Sequence, residues 1–289
     1  MNRMTRRTFI TTTAAACAAP ALRAEEKAAP PATGLDFPLV DFHVHLDHST
    51  IDAALALPQA AHVKFGIVEH AGTKENDYPV VLSNDEELKR QLDMLAGKPV
   101  FRGVQAEWSD WWSGFSTKAL AQLDYTLTDA MTFPGKDGRR TKLWTKNIES
   151  LVDMADKEAF MDRFVDWHVK ILSEQPIDIL ANTSWLPAPL ADNYDSLWTE
   201  TRVRKVANAA VKHRVALEIS SSYKLPKLPF LKIAKAAGVK FSFGSNGRYP
   251  KMGLLDYSIA MAKELGLTRA DMFMPAPDGQ KAVQRWKRG

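Results

Sequence analysis

Residues 38–50 read PLVDFHVHLDHST: an apolar run followed by three of the chain's seven histidines within six positions. In an extended strand successive side chains point to opposite faces, so His43 and His45 present both imidazoles to one side while Phe42 and Val44 pack on the other. Imidazole suits zinc, iron and manganese, and one carboxylate from a second strand would complete a ligand set. A lone His-x-His is a weak signal, and its meaning depends on what the rest of the chain delivers to the same strand end.

Outward from this stretch, short apolar runs alternate with amphipathic ones. Strand patterns fall at 38–44, 63–70 (VKFGIVEH), 99–107 (PVFRGVQAE), 124–130 (DYTLTDA), 177–183 (IDILANT), 215–220 (VALEIS) and 239–246 (VKFSFGSN). Between them lie helical patterns such as NDEELKRQLDMLAG (84–97) and KEAFMDRFVDWHVKIL (157–172). In the latter, Phe160, Phe164, Trp167 and Ile171 recur at three- and four-residue steps, the face a helix lays on a sheet. Strand-plus-helix units in series predict an α/β fold with a parallel sheet, closed into a barrel because closure buries many parallel strands on both faces. Chemistry in such barrels sits at the C-terminal strand ends, which would gather His43, His45, Glu69, His70, Glu107, Asn182, Glu218 and Asn246 at one mouth. The stretch 131–150 reads as a loop over that mouth. His62, His168 and His213 read as structural.

The first 24 residues, MNRMTRRTFITTTAAACAAPALRA, have a charged start, a Thr/Ala stretch too short to span a bilayer and a small-residue end, which together read as an export signal. Arg6 and Arg7 before Thr8-Phe9-Ile10 look like a twin-arginine signal, the route that moves folded, cofactor-loaded proteins, and this predicts a periplasmic or secreted protein. Residues 25–35 read as a flexible linker, 36–270 as the barrel and 271–289 as a basic tail. The chain carries 38 basic and 34 acidic residues, and the four leader arginines account for the excess. The remaining chain is balanced, which excludes nucleic acid as a partner, and it shows no membrane-spanning segment. Cys17 is the single cysteine and lies in the leader, so no disulfide is expected. A lipid anchor on Cys17 is the alternative, weakened because Ala14-Ala15-Ala16 lacks a bulky apolar residue.

Taken in order, the motifs resemble those of the polymerase and histidinol phosphatase (PHP) superfamily. DFHVHL (41–46) is similar to its first motif, FGIVEHAG (65–72) to its second, and RGVQAEW (102–108) to a strand that supplies a bridging carboxylate. DILANTSWL (178–186), ALEISSS (216–222) and FSFGSNGR (241–248) resemble later strands. The resemblance implies a distorted (β/α)7, TIM-like barrel that binds up to three divalent metals and hydrolyses phosphate esters. It places His43, His45, His70 and Glu107 on metal-ligand positions, with Asn246 available to complete the set.

The chain also departs from that pattern. Asn182 stands where a His is usual, Asn246 replaces an Asp, Arg248 replaces a His, and TLTDAMTF (126–133) offers no His where one is usual. An amide oxygen is a weak ligand and a guanidinium is none. One or two divalent ions (Zn, Mn or Fe) are therefore expected, not three, with Glu69, His70, Asp47 or His48 around a second. Three protein ligands and an open position acidify a coordinated water. Arg248 would grip a phosphate, sulfate or carboxylate of a small-molecule substrate, and Glu69 or Glu218 would move protons. Trp108, Trp111 and Trp185, with Asn182, would contact a phosphoester or carbohydrate, since aromatic faces stack on sugar rings.

The resulting expectation is an exported PHP-like metal-dependent hydrolase of phosphoesters, acting on a sugar-bearing substrate. The alternative is a barrel that has lost catalysis and binds carbohydrate or an anion in the envelope. An amidohydrolase-type barrel shares the His-x-His start but needs a strand-end Lys and later His ligands, which are absent.

Overall fold

Seven parallel strands carry the architecture: β1 Val40–His45, β2 Lys64–Ala71, β3 Phe101–Ala106, β4 Tyr125–Asp129, β5 Ile179–Ala181, β6 Ala216–Ser220 and β7 Phe241–Gly244. Each pairs with its sequence neighbour, and β1 pairs with both β2 and β7, so the sheet closes into a seven-stranded barrel. A computed structural model describes residues 33–286. The expected export signal at 1–24, most of the linker and residues 287–289 lie outside the described residues.

The main helices are α1 Asp85–Met94, α2 Lys157–Glu174, α3 Glu200–His213, α4 Leu228–Ala236 and α5 Asp256–Leu265. Asn84, Asp156 and Thr199 cap the first three, each side chain accepting from a backbone N–H of the first turn that has no partner within the helix. On α2 the expected face is buried: Phe160, Phe164, Trp167 and Ile171 all pack inward. His168 shares that buried surface because its two ring nitrogens meet the carbonyls of Phe164 and Thr183, each at 2.7 Å.

Apolar side chains form two clusters. The larger lies between the sheet and the helices. The smaller fills the barrel interior with Val40, Phe42, Val68, Tyr125, Leu127, Ile179, Ala181 and Ala216. Strict alternation along β1 would send Phe42 outward with Val44, but β1 carries an extra residue relative to β2 between Asp41 and Val44. That bulge lets Phe42 join the inner cluster while Val44 joins the outer one, and both histidines still face inward. Removing the Phe42 ring would cost about 3–5 kcal/mol, since it packs on Phe101, Tyr125 and Phe273.

Two further segments differ from the linear reading. Residues 131–150 are not a plain loop: Thr132–Pro134 and Arg140–Lys142 pair as an antiparallel hairpin. The stretch after residue 270 docks onto the barrel. Phe273 N donates to Phe241 O at 2.7 Å, Lys281 Nζ reaches Ala121 O at 3.0 Å, and Trp286 packs on Trp112 at 4.6 Å. No helix among the described residues is long and apolar enough to cross a membrane.

Candidate metal and anion site

Because all seven strands run the same way, their C-terminal ends share one rim. His43 and His45 end β1, Glu69 and His70 lie near the end of β2, Glu107 follows β3, Asp129 ends β4, Asn182 follows β5, Glu218 lies on β6 and Asn246 follows β7. Several of these chain turns leave the strand through left-handed backbone, with φ of +49° at Asp47, +74° at Trp108, +49° at Asn182 and +46° at Asn246. Asn tolerates that conformation better than other L-residues, which is a backbone reason for amides at 182 and 246.

His43 is fully buried, with Nδ1 2.8 Å from Glu218 Oε2 and Nε2 3.0 Å from Gln105 Oε1. With oxygen acceptors on both nitrogens, the ring fits as a doubly protonated imidazolium. Burial opposes the charge, but the Glu218 carboxylate, aided by Asp129 and Asp41, overcomes it and raises the His43 pKa above 6.5. Glu218 crosses Gly244 to reach His43. A Cβ at 244 would run into the Glu218 carboxyl and come within 2.9 Å of His43 Cβ.

His45 is different: neither ring nitrogen makes a hydrogen bond of full geometry, and burial, followed by the nearby His70, His43 and Arg248, holds its pKa well below 6.5 against a weaker opposing contact with the Gln105 side chain. His45 Nδ1 and Nε2, Asp47 Oδ1, Glu69 Oε2 and His70 Nε2 are all buried without partners. Buried polar atoms are ordinarily satisfied, so this concentration of open donors fits a bound cation. His45, Asp47 and Glu69 each offer one atom within 4.8 Å of the others'. Imidazole with two carboxylates is a donor set for zinc, manganese or iron, and the residues fit a divalent cation. The other Glu69 oxygen accepts from the backbone of Leu46 at 2.9 Å and Asp47 at 3.2 Å, which fixes the carboxyl over the end of β1. Burial pushes its pKa up to about 8.

His70 Nδ1 lies 2.7 Å from Glu107 Oε1, while its ring stacks between His45 at 4.6 Å and Tyr78 at 3.6 Å. Burial, then the positive Arg248 and His43, lowers its pKa to about 3. Burial raises Glu107 to about 8, against a hydrogen bond from Tyr78. His43, His45, His70, Glu107, Glu69 and Glu218 are thus brought together. His43 and Glu107 are engaged with Glu218, Gln105 and His70, whereas Asp47 joins the open donor set.

Arg248 lies opposite His45 in a two-residue strand, Gly247–Arg248, paired to the end of β1. Its Nε is 2.9 Å from Asp47 Oδ2, and Nη1 donates to Asn246 Oδ1 at 2.8 Å. The Asn246 amide is therefore occupied by Arg248. A cleft of about 310 Å³ opens here, lined by His70, Tyr78, Gln105, Asp129, Asn182 and Arg248 among others. Asp129 Oδ2 meets Gln105 Nε2 and Asn182 Nδ2, both at 3.4 Å, and burial with the Glu107 charge raises its pKa to about 6.

The tryptophans are arranged otherwise than expected. Trp111 is 1% exposed and packs against Phe115 in the outer core, so it cannot touch a ligand at the mouth. Trp108 leans on Trp167, and Trp185 lies 6.5 Å from Tyr223, one residue back from the cleft wall. The aromatic side chains that do line the cleft are Tyr78, Trp144 and Tyr223. Sequence reasoning also missed Asp129 and Gln105. Both were findable, Asp129 as a polar residue ending a strand and Gln105 as the residue two before Glu107. Tyr78 and Trp144 carried no local signal.

No protein-family model matches the chain, and no curated protein matches it. Among solved structures, it is similar to histidinol phosphate phosphatase from Lactococcus lactis subsp. lactis, a structure complexed with zinc, L-histidinol and phosphate: TM-score 0.56, 12% identity, covering 79% of this chain and 94% of that one. A chain in the cryo-EM structure of an archaeal ribonuclease P with mature tRNA aligns at TM-score 0.42 and 12% identity, covering 78% and 87%, too low to carry an argument. The phosphatase likeness shows the fold, a closed seven-stranded parallel barrel with flanking helices, which is the architecture the motifs implied.

Proposed function

We propose that this chain is an exported, metal-dependent hydrolase of phosphoesters that acts on a small, ring-bearing substrate such as a sugar phosphate. The observation that carries the reading is the group of buried, unpartnered ligand atoms on His45, Asp47, Glu69 and His70 beside the Arg248 guanidinium. His45, Asp47 and Glu69 would hold the cation. When bound, a divalent cation supplies positive charge that polarises a phosphoryl oxygen and acidifies water.

The chain's own residues have separate tasks. Arg248 meets the phosphate oxygens, which a planar fork suits. Glu218 orients and charges His43 and is not free to shuttle protons. Asp129 lines the cleft with a pKa raised to about 6, which supports it as the group that takes a proton from the attacking water. In that reaction the water oxygen bonds to phosphorus, the ester P–O bond breaks, and the departing alkoxide is protonated from solvent. The solved phosphatase of like fold, complexed with zinc and phosphate, agrees with this reading.

A second reading, an envelope protein that binds a carbohydrate or anion without turnover, is favoured by the Asp47–Arg248 ion pair, which already neutralises one of the three candidate ligands. Elemental analysis of purified protein, followed by assay against an aryl phosphate, separates the two. Stoichiometric metal with turnover supports the hydrolase; a metal-free protein that binds sugar or phosphate without turnover supports the binder. Export rests on residues 1–24 and the twin-arginine machinery they would engage. Retention of an Arg6→Lys/Arg7→Lys chain in the cytoplasm is the expected outcome of cell fractionation.

A further inference from the structure

Arg248 and Asn246 line a second groove as well as the mouth cleft. It measures about 580 Å³ and lies between the segments that follow β6 and β7. Its walls include Lys224, Tyr249, Lys251, Leu254 and Tyr257, and its volume is in the range that encloses an organic ligand. Exposed apolar side chains concentrate here. Of eight exposed large hydrophobic residues among the described residues, Tyr249 and Leu254 line the groove and Trp144 and Tyr223 line the adjoining mouth. Apolar surface left in water around a polar centre marks a contact surface. The charge is also biased: besides Arg248, which is paired with Asp47, the groove is lined by Lys224 and Lys251 against one acid, Asp256.

Resting on the phosphoester reading, we propose that this groove receives the alcohol part of the substrate, and that the substrate class is a phosphoester of a ring-bearing alcohol carrying a second anionic group. The phosphate lies at Arg248, the ring lies against Tyr249 and Leu254, and the second anion meets Lys224 and Lys251.

The test is calorimetric binding to the full chain of 4-carboxybenzylphosphonate, benzylphosphonate and inorganic phosphate, none of which requires turnover. The carboxylated probe is expected to bind at least about tenfold more tightly than benzylphosphonate, the scale of charge-assisted hydrogen bonding, and Lys224→Ala/Lys251→Ala is expected to abolish that preference. Equal affinity of the two phosphonates, a preference that survives in the double variant, or no binding of either overturns the inference. A chain that cleaves no aryl phosphate yet keeps the preference supports this groove while removing the hydrolase reading.

Discussion

Glu218 Oε2 lies 2.8 Å from His43 Nδ1, joining β6 to β1 over the backbone of β7, although 175 residues separate the two in sequence. The contact exists because Gly244 has no side chain to block it. Replacing Glu218 by Gln leaves burial, which lowers the His43 pKa, and removes the largest of the charges that raise it, leaving the smaller effects of Asp129 and Asp41. The His43 pKa is therefore expected to fall below 6.5 in Glu218→Gln and in Gly244→Ala, read by NMR titration of the imidazole protons. A pKa unchanged in both variants would show that Glu218 does not set the charge of His43.

The acid–base balance of the mouth predicts a pH dependence of stability. Between pH 6.5 and 8 the folded, chelator-treated chain holds more protons than the unfolded chain, on Glu69 and Glu107 (each about 8 against 4.5) and on His43 (raised above 6.5). Unfolding free energy then falls as pH rises through that window. His45 and His70 act in the opposite sense, because the unfolded rings take up protons that the folded ones refuse, but above 6.5 this uptake fades and the two carboxyl groups outweigh it. A divalent cation favours the charged carboxylates, so added zinc or manganese should flatten the slope. Urea titrations across this window check it, and a cation-free stability that rises with pH contradicts it.

Opposite responses of metal content and stability are expected at His45. Two buried, unpartnered ring nitrogens oppose folding, so His45→Phe should raise the stability of chelator-treated protein by about 1–2 kcal/mol while removing bound metal. Denaturation and elemental analysis on the same preparation read both. Full metal occupancy in the variant would exclude His45 as a ligand.

The tryptophans separate core from rim. Trp111→Ala should destabilise by about 3–5 kcal/mol because the ring is buried against Phe115. Trp144→Ala, at 45% exposure on the cleft rim, should leave stability within about 0.5 kcal/mol. Equal stability losses would contradict this division.

Asp41 anchors the opening strand. Its buried carboxylate accepts from the backbone of His43 at 3.1 Å, Ser245 at 2.9 Å and Gly253 at 3.0 Å, and from the Ser245 hydroxyl. Asp41→Ala strands those donors, so a loss of about 2–5 kcal/mol is expected in chemical denaturation. A loss below about 1 kcal/mol would mean that water replaces the carboxylate.

The alternation of apolar runs and helical periods determined the barrel, because burial on both faces leaves a continuous apolar signal in every strand. The same logic reached His43, His45, Glu69, His70, Glu107, Asn182, Glu218 and Asn246, since strand direction alone sends strand-end residues to one rim; Arg248 came only from the resemblance of residues 241–248 to a family motif. What only the tertiary structure decided is which of those atoms are free. His43 is taken up by Glu218 and Gln105, Asn246 by Arg248, and the open donors fall to His45, Asp47 and Glu69. Those choices depend on a bulge in β1, a missing Cβ at Gly244 and a two-residue strand that pairs Arg248 with His45. Hydrogen bonding between residues distant in the chain has no local pattern, so linear order carries the rim but not the pairing across it.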